Sequence, residues 1–221
     1  MIARSDADAV RVKICGVRDA GVLETAAAAG AAYAGFVFFD RSPRHLRWDE
    51  AAALAAAAPS GLCKVALAVD PDDEALERLG ALPLDMIQLH GAETPERAAE
   101  IRRRLGLPVM KAVGLGGAGD VAALDLWEDA ADLILVDAKP PKDGPLPGGM
   151  GVAFDWRLIA GRRWRRPWML AGGLTPETVA DAIRLTGARQ VDVSSGVERA
   201  PGVKDPDRIG AFCAAAGAAP A

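Results

Sequence analysis

The chain is poor in the residues from which extracellular frameworks and metal centres are built: its 221 residues include three cysteines and two histidines. Cys15, Cys63 and Cys213 are widely separated and odd in number, which suits a reducing compartment and gives neither a disulfide framework nor a zinc spacing. With His45 and His90 as the only histidines, no metal site is expected. An excess of basic charge is also missing. Lysine and arginine total 26 against 30 acidic residues, a net charge of -4, which argues against nucleic acid and anionic membrane as main partners and leaves room for a local anion site. No uninterrupted apolar run approaches the roughly 20 residues of a membrane span. Met1 to Val10 carry Arg4, Asp6 and Asp8 without the apolar core of a leader, so a cytoplasmic protein is expected.

What is present is the balance of a globular chain, 51% hydrophobic and 25% charged, long enough for one large core. The expectation is a single domain over 1–221, with residues 1–9 as a mobile N-terminal extension. Along the chain, apolar and β-branched runs alternate with helical patterns. Strands are expected over Val12 to Cys15, Tyr33 to Phe39, Lys64 to Val69, Asp85 to Leu89, Pro108 to Val113, Asp132 to Val136, Pro167 to Leu170 and Gln190 to Val193. Helices fall between them, from Arg18 to Gly30, Trp48 to Ala58, Asp72 to Leu79, Thr94 to Leu105, Asp120 to Trp127 and Pro176 to Leu185. Two more, near Asp155 to Ala160 and Pro206 to Ala216, complete eight strand-then-helix units. Such alternation implies a parallel sheet, and eight units at this length fit an α/β fold of the (β/α)₈ (TIM) barrel type better than an open sheet.

In a barrel of this kind chemistry sits at the C-terminal ends of the strands. The first strand ends in Cys15, on the same face as Lys13, whose ammonium favours a thiolate and makes the thiol a candidate base; the competing reading is an inert buried cysteine. Asp137 ends the sixth strand and is a candidate general acid, or else a partner for Lys139. Arg44, in the loop after the second strand, has the planar fork that grips a carboxylate. Gln88 and His90 share one strand face and can orient a polar ligand. Lys111 is also placed among the strand-end residues. Gly172 and Gly173 follow the seventh strand, and Ser194, Ser195 and Gly196 the eighth, the pair of loops where barrel enzymes bind phosphate through backbone N–H groups. The glycine-rich loop from Gly144 to Gly151 can cover the mouth and add N–H donors at Gly151.

Val12-Lys13-Ile14-Cys15-Gly16, Ser42-Pro43-Arg44, Gln88-Leu89-His90-Gly91, Phe154-Asp155-Trp156, Ala171-Gly172-Gly173-Leu174 and Val191-Asp192-Val193-Ser194-Ser195-Gly196-Val197-Glu198 together resemble the phosphoribosylanthranilate isomerase family of tryptophan biosynthesis. The likeness runs from Val12 to Ala216. It implies a cofactor-free Amadori rearrangement of a phosphorylated sugar amine, with Cys15 matching the general base, Asp137 the general acid and Arg44 the arginine that holds the anthranilate carboxylate. It also places Asp192 among the substrate-binding residues. The expected partner is a small phosphorylated substrate, with the protein acting as a monomer or homodimer. Met150 stands where the family usually has a small hydroxyl residue. Two other readings compete: the sister isomerase of histidine biosynthesis, which has an aspartate where Cys15 stands, and a noncatalytic phosphate-binding barrel.

Overall fold

Strand residues buried on both faces decide the architecture. The computed structural model describes residues 9–139, 151 and 153–219; most of the expected N-terminal extension and loop residues 140–150, Met150 among them, lie outside the described residues. Eight parallel strands close on themselves in chain order: β1 (Arg11–Cys15), β2 (Tyr33–Phe38), β3 (Cys63–Ala68), β4 (Met86–Leu89), β5 (Val109–Leu115), β6 (Leu133–Ala138), β7 (Trp168–Leu170) and β8 (Gln190–Val193), with β8 paired back to β1. This is the expected (β/α)₈ barrel.

Alternation along each strand divides the core. Outward residues such as Ile14, Phe36, Ile87, Ile134 and Val191 are buried against the surrounding helices. Inward residues such as Tyr33, Val65, Met110, Leu135 and Met169 fill the barrel. Full burial of one such aliphatic side chain is worth about 1.5–3 kcal/mol, so the register is held by both populations. The floor is closed by the Tyr33 hydroxyl, which donates to Gln190 Oε1 at 2.7 Å, with the Arg11 guanidinium 4.5 Å from the Tyr33 ring centroid.

Among the described residues, seven α-helices surround the strands: α1 (Ala20–Ala28), α2 (Trp48–Ala57), α3 (Asp73–Gly80), α4 (Pro95–Leu105), α5 (Ala122–Ala130), α6 (Val179–Thr186) and α7 (Pro206–Ala218). Their ends follow local chemistry. Asp19 and Asp72 accept from the backbone N–H groups of Val22 and Ala75 at 2.9 and 2.8 Å, and Gly106 and Gly187 close α4 and α6 in the left-handed conformation.

Four expectations need correction. The helix near Asp155 to Ala160 is a single 3₁₀ turn over Trp156–Leu158, because Gly161 at φ +70° ends the segment before two α-turns can form. Pro176 lies outside α6: Thr175 N–H donates to Thr178 Oγ1 at 3.0 Å and Thr178 N–H returns to the Thr175 carbonyl at 3.1 Å, a closed turn after which the helix begins. The expected helix start at Asp120 is a 3₁₀ turn, Ala118–Asp120, and α5 follows it. After β8 the chain makes an unexpected antiparallel hairpin, β9 (Glu198–Ala200) and β10 (Val203–Lys204), before entering α7.

Candidate active site

Cys15 ends β1 facing the interior, above Lys13 in the layer below. The close neighbour across the β1–β2 pair is Gly35: a methyl group there would lie 3.0 Å from Cys15 Sγ and 3.3 Å from Lys13 Nζ, so glycine leaves the thiol its space. Lys13 is wholly buried and donates to Asp192 Oδ1 at 2.7 Å. Burial opposes its charge, but the Asp192 carboxylate and Cys15 hold the ammonium above its ordinary range. Lys13 pulls the thiol toward its anion, as the sequence suggests, but that pull is outweighed. Burial pushes the thiol up from its ordinary value, and the downward pull of Lys13 is partly spent on Asp192, which itself acts to raise the thiol.

Asp137 lies inside β6, one position further into a strand than expected, and pairs in register with Gly114. It is largely buried. Its Oδ1 accepts from the Ala138 N–H at 2.7 Å, and its Oδ2 lies 3.5 Å from His90 Nε2. The alternative partner proves to be elsewhere: Lys139 donates to Asp120 at 2.6 Å. Gln88 and His90 share the inward face as expected, with Gln88 Nε2 3.0 Å from His90 Nδ1. An amide that donates to Nδ1 places the imidazole proton on Nε2, facing Asp137. Gln88 Oε1 is buried and has no hydrogen-bond partner among the described residues.

Lys111 does not belong to this group. It points outward from the middle of β5, where its ammonium donates to Glu93 Oε2 and the Gly91 carbonyl at 2.6 Å each and sits 5.2 Å from the Trp127 ring centroid. The strand end was misjudged by two residues, because Gly114 and Leu115 continue the ladder.

Two glycine-bearing loops meet at the rim beside Asp137. Gly172 and Gly173 have φ +83° and +67°, and a methyl group on Gly172 would lie 2.7 Å from the Ala138 nitrogen. Gly196 is packed harder still, since a methyl group there would meet the Leu174 carbonyl oxygen. Gly151 approaches Ser195 Oγ, 3.4 Å from where its own Cβ would be. Gly151 and the Ser195-Gly196 turn thus lie side by side, and the Gly172-Gly173 turn joins them through Leu174, which packs on Gly196.

Arg44 reaches the rim from the other side. Its stem lies over Gly16, where a methyl group would sit 2.5 Å from Arg44 Cδ. The fork is occupied by the chain's own carboxylate: Nε and Nη2 donate to Glu198 Oε1 and Oε2, each at 2.8 Å. Sequence reasoning missed the residues behind this pair. Glu198 also accepts from Lys204 at 2.9 Å, and Lys204 donates to the Ser194 carbonyl at 2.9 Å. The Ser194 hydroxyl donates to the Cys15 carbonyl at 3.2 Å. The Pro201-Gly202 dipeptide was the signal of a turn that could have revealed the hairpin carrying Lys204.

A closed (β/α)₈ barrel with a thiol and a carboxyl group at one rim, next to a cradle of glycine backbone, is the architecture of a phosphate-binding barrel enzyme working by acid–base chemistry. Residues 12–215 match the family model for N-(5'phosphoribosyl)anthranilate (PRA) isomerase. The N-(5'-phosphoribosyl)anthranilate isomerase of Cereibacter sphaeroides is 63% identical over 208 residues, covering 94% of this chain and 98% of the relative. A crystal structure of phosphoribosyl anthranilate isomerase in complex with reduced 1-(o-carboxyphenylamino)-1-deoxyribulose 5-phosphate superposes with a TM-score of 0.81 at 35% identity, covering 94% of this chain and 98% of the other. The structure described as monomers of the dimeric Thermotoga maritima enzyme gives a TM-score of 0.80 at 35% identity, covering the same 94% and 98%. The chain belongs to the N-(5'-phosphoribosyl)anthranilate isomerase family and is an isomerase.

Proposed function

We propose that Cys15 is the general base and Asp137 the general acid with which this enzyme converts N-(5-phosphoribosyl)anthranilate into 1-(2-carboxyphenylamino)-1-deoxyribulose 5-phosphate, a step of tryptophan biosynthesis. One observation carries the reading: the two groups point inward at the C-terminal rim, on β1 and β6, with the glycine turns beside Asp137 and Arg44 packed over the residue after Cys15.

The order of proton transfers follows from the chemistry of the substrate. Asp137 gives its proton to the furanose ring oxygen; the C1–O bond breaks and the nitrogen lone pair forms the C1=N bond of an iminium ion. Cys15 thiolate then takes the proton from C2, and the released pair closes a C1=C2 bond and neutralises the nitrogen, giving an enolamine. Protonation at C1 and loss of the hydroxyl proton at C2 yield the ketone. His90, with its Nε2 proton directed at Asp137, and Gln88, whose buried oxygen has no partner among the described residues, are placed to keep the carboxyl oriented and to meet substrate hydroxyls. Asp192 serves the site from beneath through Lys13, with its second oxygen as the candidate substrate contact. Gly151, Gly172, Gly173, Ser194, Ser195 and Gly196 supply backbone N–H groups to the phosphate. Arg44, oriented by Glu198, takes the anthranilate carboxylate. The sequence offers no cofactor motif, and none of these steps calls for one.

One domain is expected to carry the whole reaction. A doubly charged phosphate ester does not cross membranes unaided, which favours a cytoplasmic enzyme. The assembly is a monomer or a homodimer, and light scattering of the purified protein decides between them. The roles of Cys15 and Asp137 are tested by Cys15→Ser and Asp137→Asn: each should reduce turnover by about 10²–10⁴ while product binding is kept. Near-normal turnover in either variant removes that residue from its role.

A further inference from the structure

An ion pair that the acid–base step does not use is buried on the outer side of the barrel wall, between β5 and the loop from β4 to α4. Lys111 and Glu93, with 5% and 1% of their side chains exposed, meet at 2.6 Å. Apolar side chains in place of such a pair often cost a fold nothing, so the charges ask for a reason. The residue they hold supplies it. Lys111 Nζ donates to the Gly91 carbonyl at 2.6 Å, and the Gly91 N–H donates to the two Glu93 oxygens at 3.1 and 3.0 Å. The pair thus grips one residue by its acceptor and its donor, and that residue follows His90. Glu93 Oε1 also accepts from the Asp70 N–H at 2.9 Å, while Asp70 Oδ1 accepts from the Ala92 N–H at 2.7 Å, so the loops after β3 and β4 are fastened to each other. Gly91 sits tightly in this fastening: a methyl group on it would lie 2.5 Å from the Asp70 carboxylate.

His90 is the residue that this arrangement aims. A peptide unit is planar, so the direction of the Gly91 N–H fixes the His90 carbonyl. The preceding unit is held by the barrel ladder, where the His90 N–H donates to the Ala68 carbonyl at 2.9 Å. With both units fixed, only the side-chain torsions remain, and Gln88 Nε2 meets the imidazole Nδ1 at 3.0 Å while Nε2 lies 3.5 Å from Asp137 Oδ2.

We propose that Glu93, held by Lys111, is a positioning residue for the isomerisation: it fixes the peptide between His90 and Gly91 so that the His90 imidazole stands against Asp137 as the carboxyl gives up its proton. The pair acts from outside the barrel, through the loop. The inference rests on Asp137 being the acid with His90 beside it.

The experiment compares steady-state kinetics in Glu93→Gln, in the double variant Glu93→Gln/Lys111→Met, in His90→Asn, and in the first two each combined with His90→Asn. Glutamine keeps the size of Glu93 but cannot accept from Gly91 and Lys111 with both terminal atoms. The double variant removes both charges, so neither is left buried alone, and methionine keeps an apolar stem against Trp127. In both clamp variants kcat should fall about ten- to hundredfold, the loss that a small misplacement of a catalytic group causes, with KM changed much less. With His90 already replaced, the same substitutions should lower kcat by about twofold or less, because residues that act through one another are not additive. The chain has two histidines, so the His90 ring signals in an imidazole NMR spectrum are identified by their loss in His90→Asn, and they should move in both clamp variants. An unchanged kcat in the clamp variants, a loss as large in the His90→Asn background as without it, or His90 ring signals that stay in place overturns the inference, whatever happens to melting temperature. Near-normal kcat in His90→Asn removes His90 from the service of Asp137 and the inference with it, a result distinct from near-normal turnover in Asp137→Asn, which removes the acid itself. If Glu93→Gln does not fold, the double variant decides.

Discussion

The Lys13 ammonium donates to Asp192 at 2.7 Å directly beneath the Cys15 thiol, so the barrel interior carries an ion pair where a hydrophobic layer would normally lie. Removing one partner leaves the other charged and without its counter-ion in a wholly buried place. Asp192→Ala should therefore cost about 3–5 kcal/mol of stability, read as a lower midpoint in urea unfolding at neutral pH. Asp192→Asn, which still offers an oxygen to Lys13, should cost clearly less. Equal losses in the two variants would show that shape, not charge, matters at this position.

The glycine turns set the second expectation. Gly172 combines φ +83° with backbone 2.7 Å from the site of a methyl group, so Gly172→Ala must shift β6 against the turn at the residue after Asp137. Gly30, at φ +82°, has open space around it and serves as a control with the same backbone conformation. Gly172→Ala should raise KM and weaken competitive inhibition by inorganic phosphate at least tenfold, while Gly30→Ala should leave both unaltered and cost only about 1–2 kcal/mol of folding stability. Inhibition by phosphate that survives Gly172→Ala would place the anion elsewhere.

Arg44 gives the third. A charge-assisted hydrogen bond to the substrate carboxylate is worth about 1.5–3 kcal/mol, or roughly ten- to hundredfold in affinity. Arg44→Ala should raise KM by that factor. Because Glu198 would then lose its forked partner, Glu198→Gln is the informative companion: it leaves the guanidinium in place but loosens it, and should raise KM by less. A KM unchanged in Arg44→Ala dismisses the carboxylate assignment.

These residues also show how far sequence alone could reach. Strand β8 was legible to the residue, Gln190–Val193, because its polar and apolar residues alternate, Gln-Val-Asp-Val, up to the Ser194-Ser195-Gly196 turn. The positions of Cys15, Asp137, Gly172 and Gly196 followed from the strand count. Lys204 did not follow, because β9 has no apolar period to announce it and its contacts to Ser194 and Glu198 depend on a turn that folds back on the rim. The occupation of Arg44 by Glu198, 154 residues further along the chain, was equally hidden. The electrostatics of Cys15 were half legible for a related reason: the lysine two residues away, which does favour the thiolate, is visible in the sequence, but the burial that outweighs it and the aspartate paired with it belong to the closed barrel.

The last expectation concerns that thiol. Burial is the largest influence on Cys15 and raises it above the ordinary value of 9.0, with Lys13 and Lys204 pulling the other way and Asp192 adding to the rise. The thiolate should accordingly titrate above pH 9.0 in the difference between unmutated enzyme and Cys15→Ser. Linkage fixes the sign for stability. A group whose folded value is raised binds its proton in the native state when the unfolded chain has already lost it, so its contribution is complete below the unfolded value and disappears as pH rises through the folded one. Unfolding free energy should thus fall with increasing pH on the alkaline side, and Cys63 and Cys213, both pushed up by burial, Cys213 to about 11, contribute in the same direction. Cys15→Ser should make that alkaline decline shallower without changing its direction, because two buried thiols remain. A thiolate midpoint at or below 9.0 would mean that Lys13 and Lys204 together outweigh burial, and an alkaline decline as steep in Cys15→Ser as in the unmutated enzyme would mean that Cys15 titrates alike in the folded and unfolded chain.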